Sequence, residues 1–149
     1  MARINRKSSI NKLLQAIPAN RGRTDAQIAI IRALGDMKDN ALETVPVLVR
    51  FLKSPSPFVR EATVEALWKI RPSDPRVVVV LNHLLATEAE LPVKLTLTSV
   101  IADFRSQDSI PILQKITKRA QENVDVKNLA QDALDELEAM GIETALQED

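Results

Sequence analysis

Cysteine is absent from the 149 residues, which excludes disulfides, thiolate metal sites and a thiol nucleophile. Glycine occurs only at Gly22, Gly35 and Gly141, too rarely for a turn-rich β fold and too far apart for a phosphate-cradling loop. Aromatic residues are 3% of the chain, namely Phe51, Phe58, Phe104 and Trp68, with no tyrosine. A core of Leu, Ile, Val and Ala suits closely packed helices and suits a β-sandwich poorly. No apolar run approaches the roughly 20 residues that a membrane span needs. The basic start, residues 1–7, runs into an amphipathic segment and not into a signal-type apolar stretch. A cytoplasmic protein without membrane insertion is the expectation. Net charge is absent too, since 20 Lys and Arg balance 20 Asp and Glu. The balance is uneven along the chain: residues 1–75 carry 13 basic and 7 acidic residues (+6), and residues 76–149 carry 7 and 13 (−6). A basic and an acidic end steer partners without specifying one, and leave the oligomeric state open.

What the chain does have is a repeat. Ala26, Val59, Val93 and Val126 head four copies at offsets of 33, 34 and 33 residues. Five more columns follow without a gap: Ala29/Ala62/Thr96/Leu129, Ile30/Thr63/Leu97/Ala130, Ala33/Ala66/Val100/Ala133, Leu34/Leu67/Ile101/Leu134 and Met37/Ile70/Phe104/Leu137. These positions fall at i, i+3, i+4, i+7, i+8 and i+11, the buried stripe of an α-helix. Each stripe needs a partner helix, and the segment before it supplies one. Ile10, Leu13, Leu14 and Ile17 form the first such face, ended by Pro18, and Thr24 with Gln27 reads as a capping box for the following helix. Thr44 reads as a cap with Pro46 in the first turn, and Ser56-Pro57 as cap and first helical residue. Val77 to Val80 would suit a strand, but Val77, Val78, Leu81, Leu84 and Leu85 keep helical spacing after Asp74-Pro75. Pro92 opens the next helix, and Pro111 opens one with Ile112, Leu113, Ile116 and Ala120 on a face. The last helix is expected over about 124–140, stopped by Gly141 and followed by a frayed acidic tail, 141–149. The expectation is a single all-α domain, a right-handed α-solenoid of about four stacked antiparallel helix pairs, with repeats at about 8–37, 44–70, 74–105 and 109–140.

Residues 44–70 carry Pro46, a short loop, then Val59-Arg60, Ala62, Ala66-Leu67 and Ile70. This segment resembles a HEAT repeat, whose pattern has a proline in the first helix, Val-Arg after the loop, then Ala-Leu and an aliphatic residue. Val93-Lys94, Val126-Lys127 and Ala133-Leu134 echo it, while Ala26-Gln27 departs from it. The Trp-x-x-Leu-Gly-x-x-Tyr and Thr-Pro-Leu-His signatures of tetratricopeptide and ankyrin repeats are missing. The resemblance covers residues 8–140, and short repeats of this kind also occur in phycobilisome-lyase HEAT-like proteins. It implies a curved stack whose second helices line a concave, partner-binding face. By the same resemblance a bilin lyase-like or chaperone role on phycobiliproteins stays open.

Catalytic chemistry finds little support. His83 is the only histidine and reads as a surface residue of its helix. His83, Glu88 and Glu90 lack a metal-ligand spacing, and Asp132, Asp135, Glu136 and Glu138 read as a solvated helix face. No catalytic residue, cofactor or metal site is therefore expected. Interaction is the better reading. The columns opposite the stripe are Ile28/Glu61/Leu95/Asn128, Ile31/Val64/Thr98/Gln131, Arg32/Glu65/Ser99/Asp132 and Gly35/Trp68/Ala102/Asp135. Ile28, Ile31, Val64, Trp68 and Leu95 are apolar where a solvated face would be polar, which predicts an apolar patch centred on Trp68. Arg32, Glu61, Glu65 and Ser99 would form its polar rim. The expected partner is another protein, through a helix or extended segment laid in the groove. Nucleic acid is the alternative, because Arg3, Arg6, Lys7, Lys12, Arg21 and Arg23 crowd residues 1–23 without an acid. The zero net charge and the lack of interleaved aromatics disfavour it.

Overall fold

The computed structural model describes residues 2–147, with side chains from Arg6 to Gly141 and at Leu146 and Gln147. Its elements are eight α-helices, with no strand among the described residues: α1 Ala2–Ala19, α2 Thr24–Asp36, α3 Val45–Phe51, α4 Pro57–Ile70, α5 Pro75–Thr87, α6 Leu91–Phe104, α7 Ile110–Lys118 and α8 Val124–Gln147. Short 3-10 segments, Lys38–Thr44 and Gln107–Ser109, lead into α3 and α7. The chain divides into two compact units, residues 1–73 and 74–149, each made of two helix pairs.

In the first unit α1 pairs with α2 and α3 with α4, and the two second helices, α2 and α4, share the largest contact. The six-column stripe explains this. Ile30, Leu34, Val59, Ala62, Ala66, Leu67 and Ile70 are all buried, so each second helix presents one continuous apolar side to its neighbours. Gly35 sets the spacing. A Cβ there would lie 2.9 Å from Ala66 Cα and 3.0 Å from Ala66 Cβ, so α2 approaches the backbone of α4 as closely as only glycine allows. Gly22 makes the α1–α2 turn at φ +83°, a left-handed conformation that glycine enters freely. In the second unit α5 pairs with α6 and α7 with α8, and α6 packs on α8. Leu81, Leu85, Leu97, Ile101, Leu113, Ile116, Ala130 and Leu137 fill that core. The Val77–Val80 run is helical, as its spacing predicts, behind a cap in which the Asp74 carboxylate accepts from the Arg76 N–H at 3.0 Å.

The buried threonine hydroxyls are satisfied locally. Thr63 Oγ1 donates to the Val59 carbonyl at 2.7 Å and Thr98 Oγ1 to the Lys94 carbonyl at 2.7 Å, which lets threonine occupy core positions of a helix. Ser56 caps α4, its hydroxyl accepting from the Val59 N–H at 3.4 Å.

Four local expectations need correction. Thr24 is the first residue of α2 and not its cap; Arg23 holds the cap position without a side-chain bond. Thr44 does not cap α3, because its hydroxyl donates back to the Ala41 carbonyl at 2.6 Å. Ala120 lies beyond the end of α7 at Lys118. Gly141 does not stop α8, which runs on to Gln147, since one glycine costs a helix only about 1 kcal/mol. Helix α1 also begins at Ala2, so the basic start is helical. Glu148 and Asp149 lie outside the described residues.

Candidate interaction surface and buried polar sites

Of the residues expected on the partner face, the first unit holds Ile28 and Arg32 on α2 and Glu61, Glu65 and Trp68 on α4. Arg32 is exposed, and Ile28, Glu61 and Glu65 are half-buried. Trp68 is 38% exposed, a high value for the largest apolar side chain in the protein. The guanidinium of Arg71 lies 5.6 Å from the centroid of its ring, within cation–π range. Near the C-terminal ends of the two helices, Lys69 Nζ meets Asp36 Oδ1 at 2.9 Å and ties α4 to α2.

Ile31 and Val64 do not belong to this surface. Both are fully buried, so the expectation that they contact a partner is corrected. A second helix in such a stack packs against its first helix and also sideways against a neighbouring second helix, as α2 does on α4. Its buried arc is therefore wider than the six-column stripe and takes in the column of Ile31. Thr98 in that column is buried as well, whereas Gln131 is exposed. Gly35 is likewise interior, against Ala66. In the second unit, Leu95 is half-buried and Ser99 exposed on α6.

The structure also brings together residues that the sequence did not mark. The Glu122 side chain is only 2% exposed and sits between Lys94 Nζ at 3.0 Å and Arg119 Nη1 at 3.3 Å. It also accepts from the Asn123 N–H at 3.2 Å, while Arg119 Nη2 donates to the Ala86 carbonyl at 3.0 Å. Burial pushes the Glu122 carboxyl up, but the bond and charge of Lys94, the Asn123 N–H and Arg119 together outweigh it, and the net displacement is downward. The cluster joins the end of α5, the start of α6 and the α7–α8 loop. Its only sequence signal is Lys94, which holds the basic position of the Val-Lys pair. A second hidden regularity follows the stripe by one residue. Lys38, Arg71 and Arg105 each adopt left-handed backbone, at φ 52°, 52° and 53°, and recur at offsets of 33 and 34. Arg71 and Arg105 end α4 and α6, where a positive charge suits the helix dipole although glycine would suit the backbone better.

His83 is exposed on α5 at the edge of a hollow of about 320 Å³, with Val79, Asn82, Asp108, Pro111 and Lys115 among its walls. The Asn82 amide is already engaged there, donating to the Asp108 carbonyl at 3.3 Å and accepting from Ser109 Oγ at 2.9 Å. Among the described residues no group of His, Asp and Glu is arranged to hold a metal ion. Asp132, Asp135, Glu136 and Glu138 are exposed; Asp135 accepts from Gln131 at 2.9 Å and Glu136 pairs with Arg105 at 3.0 Å. Among the described residues no helix is long and apolar enough to cross a membrane. Of the basic cluster, Arg6 donates to Asn40 Oδ1 at 3.2 Å, and the Arg3 side chain lies outside the described residues.

Helix pairs repeated at 33 or 34 residues, with α2 packed on α4 in one unit and α6 on α8 in the other, define a helical-repeat protein. A family model for HEAT repeats matches residues 10–102, more than half of the chain, and the protein belongs to the HEAT-repeat family. Neither a comparison with curated proteins nor one with solved structures returned a match. HEAT repeats in general act as protein-interaction scaffolds and are typically non-catalytic.

Proposed function

We propose that this protein is a non-catalytic scaffold that binds a helix or extended segment of a partner protein on the α2/α4 face of its first unit, with Trp68 as the anchor. The observation that carries the reading is the exposure of Trp68. A tryptophan left 38% accessible keeps on the order of 90 Å² in water. Covering that area is worth about 2 kcal/mol. Tryptophan is also the residue most enriched at interface hot spots. Arg71 over the ring, with Arg32, Glu61 and Glu65 at the margin, supplies charges of both signs to fix register. The half-buried Ile28 extends the apolar floor.

The test compares Trp68→Ala with the parent protein in capture from native lysate, each normalised to its folded fraction. The proposal expects recovery of the main protein partner to fall about tenfold or more. Unchanged capture by a Trp68→Ala protein of lowered stability would assign Trp68 to packing and refute the face. Steeply salt-dependent binding of generic duplex in place of protein capture would move the function to the basic α1. A spectral shift of free bilin on mixing would move it to chromophore handling.

A further inference from the structure

We propose that the first unit binds an oxyanion in the hollow between the α1–α2 loop and the α3–α4 loop. The hollow measures about 400 Å³ and is walled by Thr24, Gln27, Arg50, Lys53, Pro55 and Ser56 among others, with no acidic residue. The side chains of Arg50 and Lys53 make no hydrogen bond or ion pair among the described residues. Segments 19–27 and 50–60, which form this end of the unit, hold Arg21, Arg23, Arg50, Lys53 and Arg60 against Asp25 alone. The first turn of α2 opens here as well, and its N–H groups have no side-chain cap.

The repeat supplies an internal comparison. The second unit follows the first at an offset of 67 residues (33 + 34), as Ala26 to Val93 and Val59 to Val126 show. At that offset Glu122 corresponds to Pro55, Lys94 to Gln27 and Arg119 to the buried Leu52. In the second unit the position is filled from within: the Glu122 carboxylate is buried against Lys94, Arg119 and the Asn123 N–H. In the first unit Pro55 brings no carboxylate, Gln27 and Leu52 replace its two cations, and the hollow that remains is lined instead by Arg50 and Lys53, from other positions of the repeat. An external oxyanion there occupies the place that Glu122 occupies in its own unit. Arg50 supplies a planar fork, Lys53 a point charge, and Thr24 and Ser56 hydroxyl donors, a set that matches phosphate or carboxylate.

The test is a ¹H–¹⁵N titration with inorganic phosphate at constant ionic strength, with chloride as control. The proposal expects saturable shifts confined to the amides around Gly22, Thr24, Ser54 and Ser56. Replacing both cations, Arg50→Ala with Lys53→Ala, raises the dissociation constant about tenfold or more. Pro55→Glu, which restores the carboxylate found at the matching position of the other unit, abolishes the phosphate response while the spectrum stays dispersed. Shifts that never saturate, or a response unaltered by the double alanine change, overturn the proposal. The double alanine variant decides the matter if Pro55→Glu does not fold.

Discussion

Replacing Glu122 with Gln tests the buried polar cluster with little change of shape. The Glu122 side chain is 2% exposed, and its two cationic partners, Lys94 and Arg119, are 18% and 31% exposed. Removing one partner of a fully buried pair costs about 3–5 kcal/mol, because the remaining charge is stranded. Here both cations keep some access to water, and Arg119 retains the Ala86 carbonyl. Glutamine also still accepts from the Asn123 N–H. A loss of about 2 kcal/mol is therefore expected, within the range for a hydrogen bond to a charged group, or about 4–8 °C in Tm for a chain of this size. The pH dependence fixes the sign. The folded carboxyl titrates below its ordinary value of 4.5, so its contribution is complete above that value and is lost as pH falls through the lower, folded pKa. The difference between parent and Glu122→Gln should be constant near neutrality and shrink below pH 4.5. Urea denaturation followed by circular dichroism at several pH values measures it. A difference under about 0.5 kcal/mol at pH 7, the range of an exposed ion pair, would refute the claim that this cluster is buried and charged.

Gly35→Ala should destabilise the first unit by about 1–3 kcal/mol, because its Cβ meets the backbone of Ala66 and not a flexible side-chain tip; thermal denaturation reads this directly. Lys38→Gly should raise stability by about 0.5–1 kcal/mol by relieving a left-handed non-glycine residue, and a destabilised variant would mean that the lysine side chain matters more than its backbone. Asp36→Ala should change stability by less than about 0.5 kcal/mol, since the Lys69–Asp36 pair is 40% and 67% exposed.

The stripe was readable in the sequence because helical burial has a period, and four copies in register amplify it. Val59, Leu67, Leu97, Ile101, Leu134 and Leu137 are buried as the columns require, whereas Ala29 of the same stripe is exposed and Ala26, Ala33 and Met37 are half-buried. The opposite columns were readable only in part. Trp68, Arg32 and Ser99 are exposed, but Ile31 and Val64 are not. Periodicity gives the direction of the buried arc and not its width, which sideways packing of second helices sets. The capping errors at Thr24 and Thr44 have another cause: a hydroxyl near a helix start has several backbone partners within reach, and Thr44 takes a carbonyl behind it. Glu122 was invisible for a third reason. Its partners lie 28 residues back and three residues back, in elements that only the fold brings together. The left-handed column of Lys38, Arg71 and Arg105 lies in the register of the repeat, but a basic residue after a helix reads as ordinary dipole compensation.

The central claim, that the α2/α4 face around Trp68 receives a partner protein, is tested most directly by site-specific photo-crosslinking. A benzophenone amino acid is placed at position 68 and, in a second protein, at Val79, which is exposed on α5. Irradiation in native lysate should give one dominant covalent adduct from position 68 and none of the same species from position 79. An adduct from position 79 with none from position 68 would contradict the account.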